Sequence, residues 1–218
     1  MTTKAVSAPT QRGFLRPRNI VLTVAGLALV AAMALDTTVV EIGADSASRA
    51  QGFSAQTYGP QEFPRIQTAI EGKAADAVAL ATQIAQDKDA AVAAHGTPSG
   101  VGPVMAVTFT GVAGEARSGV YTVAIDGMPE GTNVRVQTGP AINGTELRDA
   151  PGDIAFGQFT NQIEYQNAGA ALNDEMKRQV LEGVDTTALT GKTIEVTGVF
   201  RLINPKNWLV TPVRMAVR

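Results

Sequence analysis

The 218-residue chain contains no cysteine. That excludes disulfide staples, thiolate metal centres, thiol catalysis and lipid attachment through a cysteine. With one histidine, His95, there is no imidazole partner for a histidine-rich metal site. Aromatic residues make up only 5% and charged residues 17%, against 44% hydrophobic, a balance that argues for a packed chain and against disorder. No metal or other cofactor is expected. The length fits one domain, or two.

The formal net charge of −2 is unevenly spread. Four of the 18 basic residues (Lys4, Arg12, Arg16 and Arg18) precede Asn19, where there is no acid, so the remainder carries fourteen basic against 20 acidic groups. An apolar run, Ile20 to Leu35, follows and is closed by Asp36. As a helix it spans about 24 Å at about 1.5 Å per residue. A hydrocarbon core of about 30 Å is reached with snorkelling by Arg18 and local thinning. Cations before the run and acids after it place residues 1–19 in the cytoplasm and the rest outside. Residues 20–36 are therefore expected to be a single transmembrane helix. Ala32-Met33-Ala34 also fits a signal-peptidase pattern, so cleavage after Ala34 stays open, as does a buried core helix.

The exported part divides by its periodicity. Residues 37–59 are irregular and predict a linker with a short strand at Val39, Val40 and Ile42, and with Phe53 and Tyr58 docking on the body. Pro60 to His95 is helical, with Phe63, Ile66, Ile70, Ala74, Ala77, Ala81 and Ile84 forming one stripe and a break near Gln86. An alanine-rich stripe predicts close packing. From Val101 the period becomes that of strands: Val104 to Phe109, a turn around Gly111 to Gly114, Val120 to Ile125, and Asn133 to Gln137. A helix over Asn161 to Glu182 has Ile163, Ala170, Leu172, Met176, Val180 and Leu181 as its expected inner face. Thr193 to Leu202 and Trp208 to Val217 complete the strands around an Asn204-Pro205-Lys206-Asn207 turn.

Three strands, a helix and two strands is the element order of an OB-fold. The expected class is α+β: an OB-like five-stranded β-barrel over 101–218 with one inserted helix, preceded by the helical segment 60–96 and the membrane helix. An unrelated α+β sandwich shares that order.

Gly139 to Asp153 is the most polar concentrated segment. Asn143, Glu146, Arg148 and Asp149 there, with Asn161 and Gln162 beyond it, are the candidate ligand or partner residues, since contacts favour loops on rigid scaffolds. The plainer alternative is that Arg148 pairs with Asp149 or Asp153 and pins the loop. Phe156, Phe159 and Tyr165 beside Asn161 and Gln162 suit stacking on a sugar or base, or else core packing with Asn161 capping the helix. No catalytic residue is assigned. The enzymatic alternative is a hydrolase with Asp149 or Asp153 as base and Arg148 as clamp. Gly191-Lys192-Thr193 lacks the earlier glycine of a phosphate loop, because Thr186 stands there. His95 is expected to cap or pack at its helix end. An acidic exported part does not suit nucleic acid.

The strings GPAINGTELRDA (Gly139 to Ala150), IAFGQFTNQIEYQNAGAALN (Ile154 to Asn173), GKTIEVTGVF with LVTPVRM (Gly191 to Met215) and AAVAAHG (Ala90 to Gly96) resemble a bacterial family of predicted periplasmic lipoproteins, domain of unknown function 2291. The resemblance implies an envelope protein whose genes accompany sugar-type ABC transporters, making transporter components the expected partners, with no established activity. Many members carry a lipobox cysteine after the apolar run, where this chain has Leu35-Asp36-Thr37-Thr38. What is expected is thus a non-enzymatic accessory or binding protein of the inner membrane with a periplasmic body. A purely structural envelope protein is the further alternative.

Overall fold

The computed structural model describes residues 53–218. The basic tip, the apolar run at 20–36, the Ala32–Ala34 pattern and the strand expected at Val39 to Ile42 lie outside the described residues. Among the described residues, no helix is long and apolar enough to cross a membrane.

The first helix, α1, covers Ala55–Lys73 and buries Phe63, Ile66 and Ile70 along one stripe. It begins inside the stretch expected as linker and carries Pro60 and Pro64 within it. Proline favours a first helical turn, which explains why the sequence reads as starting at Pro60; here each proline instead leaves one intrahelical bond unmade. Ala75–Asp76 (β1) then breaks the stripe by pairing in parallel with Val107 and Thr108. The local alanine preference for helix yields to a sheet edge. Ala77–Gln86 (α2) and Lys88–His95 (α3) follow, separated near Gln86 as the pattern predicts. Each has an aspartate cap: Ala79 N donates to Asp76 Oδ1 at 2.9 Å, and Ala90 N to Asp87 Oδ1 at 3.0 Å. His95 lies in the last turn of α3, its Nε2 3.0 Å from Gln83 Oε1.

Gly96–Thr97 (β2) adds two residues to the far side of β3, Val104–Arg117. The turn expected at Gly111 to Gly114 is not a turn. The strand runs through it and absorbs it as a register shift between Ala113 and Ala116. Such a bulge bends a long strand and increases its twist without ending it. The reversal comes at Ser118-Gly119, both at positive φ (51° and 73°), the two-residue hairpin geometry that matches strand twist. Gly119 is required there, because a Cβ would fall 1.1 Å from Gly139 O.

The remaining strands are β4 (Val120–Ala124), β5 (Asn133–Gln137), β6 (Thr193–Arg201) and β7 (Asn207–Val217). Their alternation does what period two requires. Tyr121, Val123, Val134, Val136, Trp208 and Val210 are buried, while Thr122 and Ala124 face outward. Pairing runs β3-β4-β5-β7-β6, and β6 returns to β3, so five strands close on themselves. All pairs in this ring are antiparallel except β5 with β7. Phe200 stacks on Trp208 at 4.3 Å inside the ring, and the indole N–H donates to Pro205 O at 2.9 Å.

Between β5 and β6 lie a single helical turn, Glu146–Asp149 (α4), a 3₁₀ turn at Phe156–Gln158, and α5, Gln162–Met176, which continues as a π-helical turn to Leu181. The inner face of α5 differs from expectation. Leu172, Met176 and Leu181 are buried, but Ile163 and Ala170 are exposed, and Ala168, Gly169, Ala171, Asn173 and Glu175 are buried instead. Small residues face inward because α1 lies close: a Cβ on Gly59 would stand 2.5 Å from Ala171 O.

Candidate functional site

The single turn of α4 gathers Thr145, Glu146, Arg148 and Asp149 on one short stretch of backbone. Thr145 Oγ1 donates to Asp149 Oδ2 at 2.8 Å across that turn. Arg148 Nε donates to Asp149 Oδ1 at 2.8 Å, and Arg148 Nη1 to Tyr165 O at 3.0 Å. The same guanidinium lies over the Tyr165 ring, 3.6 Å from its centroid, a cation–π contact that fixes α4 on the first turns of α5.

A second guanidinium enters from the end of β6. Arg201 Nη2 donates to Asp149 Oδ2 at 2.8 Å and Thr145 Oγ1 at 3.1 Å, and Nε to Glu146 Oε1 at 3.2 Å. Its Nη1 reaches Ser99 Oγ and, at 3.3 Å, Gly102 O. The side chains of Arg148, Asp149 and Arg201 are only 8%, 10% and 10% exposed. Burial pushes the Asp149 carboxyl up, but hydrogen bonds from Arg201, Thr145 and Arg148 outweigh it and hold the group below its ordinary value. Arg201 is likewise opposed by burial and raised by Asp149 and Glu146. Two guanidiniums and two carboxylates are thus interlocked.

Amides brace the loop from two further sides. Gln137 Nε2 donates to Asn143 O at 3.1 Å and to Thr211 Oγ1 at 2.8 Å, while Gln137 Oε1 accepts from Asn143 N at 3.1 Å. Asn173 Nδ2 donates to Gly144 O at 2.9 Å, which accounts for a buried asparagine on α5. Beside the ion cluster is a cavity of about 280 Å³ reached by Ser99, Thr145, Arg148, Asp149, Tyr165 and Arg201.

Of the residues singled out in the sequence, Glu146, Arg148 and Asp149 come together here, and Asn143 sits at the loop's braced, exposed edge. Asn161 and Gln162 do not join them. Asn161 Oδ1 accepts from Glu164 N at 2.9 Å, Glu164 Oε2 accepts from Thr160 N at 2.9 Å, and Gln162 is exposed. That reciprocal pattern is a helix cap. Asp153 is not the partner of Arg148; it pairs with Arg65 at 2.7 Å on the surface, where Arg65 also holds Glu62. The aromatic residues form one packed group in which Phe159 meets Phe53, Tyr58 and Tyr165 at 5.6, 5.9 and 5.4 Å. Phe156 stands at its edge, 49% exposed. Sequence reasoning missed Arg201, whose one signal is a charge directly after the apolar Val199 and Phe200 at the strand's end.

A crystal structure of an OB-fold protein from Thermotoga maritima superposes with a TM-score of 0.62 at 17% identity, covering 77% of this chain and 99% of that one. The likeness establishes an OB-type fold for the closed sheet and says nothing of activity. No curated protein sequence matches the chain. The sequence pattern of the family described as Predicted periplasmic lipoprotein (DUF2291) matches residues 23–216, nearly the whole chain. The chain therefore belongs to that family of predicted periplasmic lipoproteins of unknown function.

Proposed function

We propose that the protein is a non-enzymatic accessory or binding protein of the cell envelope. In this reading residues 20–36 tether an OB-like barrel to the inner membrane, with the N-terminus cytoplasmic, and the body works beside a sugar-type ABC transporter. The absence of cysteine supports the helical tether, because the usual lipid attachment of a lipoprotein has no acceptor in this chain.

One observation carries the non-enzymatic part. Both oxygens of Asp149 are engaged, Oδ1 by Arg148 and Oδ2 by Arg201 and Thr145, and the carboxyl is held below its ordinary pKa. A general base needs a free lone pair and a pKa near the working pH. Asp149 has three hydrogen bonds already occupying its oxygens and a pKa moved away from neutral, so the loop serves as a rigid, charge-satisfied surface that presents Asn143 and its neighbours. The hydrolase reading draws on the 280 Å³ cavity beside the cluster, yet of its two candidate bases Asp149 is engaged by both arginines and Asp153 pairs with Arg65 on the surface.

The test is photo-crosslinking in native membranes from a residue placed at Asn143 in the full-length, tagged chain. Recovery of a transporter subunit or its sugar-binding component is expected. Recovery of the chain from the soluble fraction, or of no transporter component, refutes the reading. Hydrolytic turnover that disappears in Asp149→Asn refutes its non-enzymatic part.

A further inference from the structure

A different face of the closed sheet carries a half-buried arginine with one unpartnered donor. Arg135 lies in the middle of β5, between Val134 and Val136, which point into the ring, so Arg135 alternates to the outer face. Strands pair on both sides of it, with Thr122 of β4 opposite on one flank and Leu209 of β7 on the other. Its Nε is the one buried side-chain polar atom without a hydrogen-bond partner among the described residues. A buried charged donor left unmet is costly, and the cost is removed by an acceptor that completes it.

The surroundings supply the rest of a site. Arg135 lines a cavity of about 500 Å³ together with Glu115, Arg117, Val120 and Thr122. That volume lies within the range of about 300–1,000 Å³ common for small-molecule pockets. Arg117 ends β3 opposite Val120, one row along from the Thr122–Arg135 pair. Among the described residues, Arg117, Arg135 and Glu115 form no ion pair. This contrasts with Arg148 and Arg201, whose donors are consumed within the protein. None of the five lining residues is aromatic, so the cavity offers no platform for stacked bases.

We infer that this cavity binds a small hydroxylated carboxylate, taking its carboxylate between the Arg135 and Arg117 guanidiniums and its hydroxyl at Glu115. Planar guanidinium forks match a carboxylate. Two arginines and one glutamate sum to one formal positive charge, which a monoanion neutralises. A phosphate dianion overcompensates and meets Glu115 with like charge. The inference does not depend on the transporter reading or on the Arg148 loop.

Calorimetric titration of the full-length chain in detergent tests it, with lactate and glucuronate as probes and glucose and inorganic phosphate as comparisons. Saturable binding of at least one carboxylate, tighter than about 1 mM and tighter than glucose or phosphate, is expected. Arg117→Gln, at the exposed strand end, is expected to weaken it about tenfold with an unchanged melting temperature. Arg135→Lys, which keeps the charge and loses the fork, is expected to weaken it similarly. Absence of binding by both carboxylates overturns the inference. So does phosphate binding as tight as carboxylate, or full affinity in Arg117→Gln.

Discussion

Replacing Asp149 by asparagine tests the ion cluster most directly. The change preserves shape and one carbonyl acceptor, but it removes the charge that two buried guanidiniums share. Arg201 keeps Glu146 at 3.2 Å, whereas Arg148 keeps only the Tyr165 carbonyl and ring. Removing one partner of a buried ion pair costs about 3–5 kcal/mol, because it strands the other charge away from water. For a body of this length about 1 kcal/mol moves the melting temperature about 2–4 °C, so a fall of about 10 °C is expected by circular dichroism near neutral pH. Asp149 has a folded-state pKa below its ordinary value of 3.8. Its stabilisation is therefore complete above the unfolded-state pKa and is lost as pH falls through the lower folded-state value. Wild type should lose this increment only below about pH 4, while Asp149→Asn lacks it throughout and shows a shallower acid slope. Adding Arg148→Leu to Asp149→Asn should recover part of the loss by removing the charge left without a carboxylate. A fall below about 2 °C, or an identical acid slope, refutes the claim that the cluster is stabilised by mutual ionisation.

Other consequences are local and separable. Gly119→Ala puts a Cβ 1.1 Å from Gly139 O at a positive φ, so urea unfolding should show a loss well beyond about 1 kcal/mol. A neutral result means that the hairpin and the Gly139 loop shift freely. Trp208→Ala empties the space under Phe200 in the ring and should cost about 3–5 kcal/mol in the same assay. Asn161→Ala removes the cap of α5 and should cost about 1 kcal/mol while leaving the cluster and any crosslinking unchanged. A Glu164→Ala companion, which removes the reciprocal acceptor for Thr160 N, should lose less.

The strand order was legible because each short strand carries its own alternation: Tyr121 and Val123, Val134 and Val136, Trp208 and Val210 all mark the inner face without knowledge of their partners. The break at Gln86 was legible too, since an aspartate cap is a local signal. What escaped was decided by distant neighbours. Gly111 and Gly114 look like a turn, yet β6 pairs along β3 as far as Val112 and holds the chain extended through the bulge. Ile163 looks like core by its chemistry. α1 instead sets the inner face of α5 by proximity, and a face that must admit Gly59 against Ala171 selects alanine and glycine over isoleucine.

The polar loop illustrates the same principle for function. Read along the chain, Asn143 to Asp153 is a run of hydrogen-bonding groups with no partners in view, and it invites a ligand. In the fold the partners arrive from Gln137, Asn173 and Arg201, the last being 52 residues from Asp149. Arg135 reads the other way. In sequence it is an ordinary charge in an alternating strand, with nothing to distinguish it from an arginine in water. Closing the ring over β4 and β7 buries its Nε and leaves that donor unmet. Polar density therefore marks where the protein satisfies itself, and an isolated buried donor marks where it does not. A partner-facing role for the loop must then rest on its exposed edge at Asn143, while recognition of a small anion belongs to the outer face of β4 and β5.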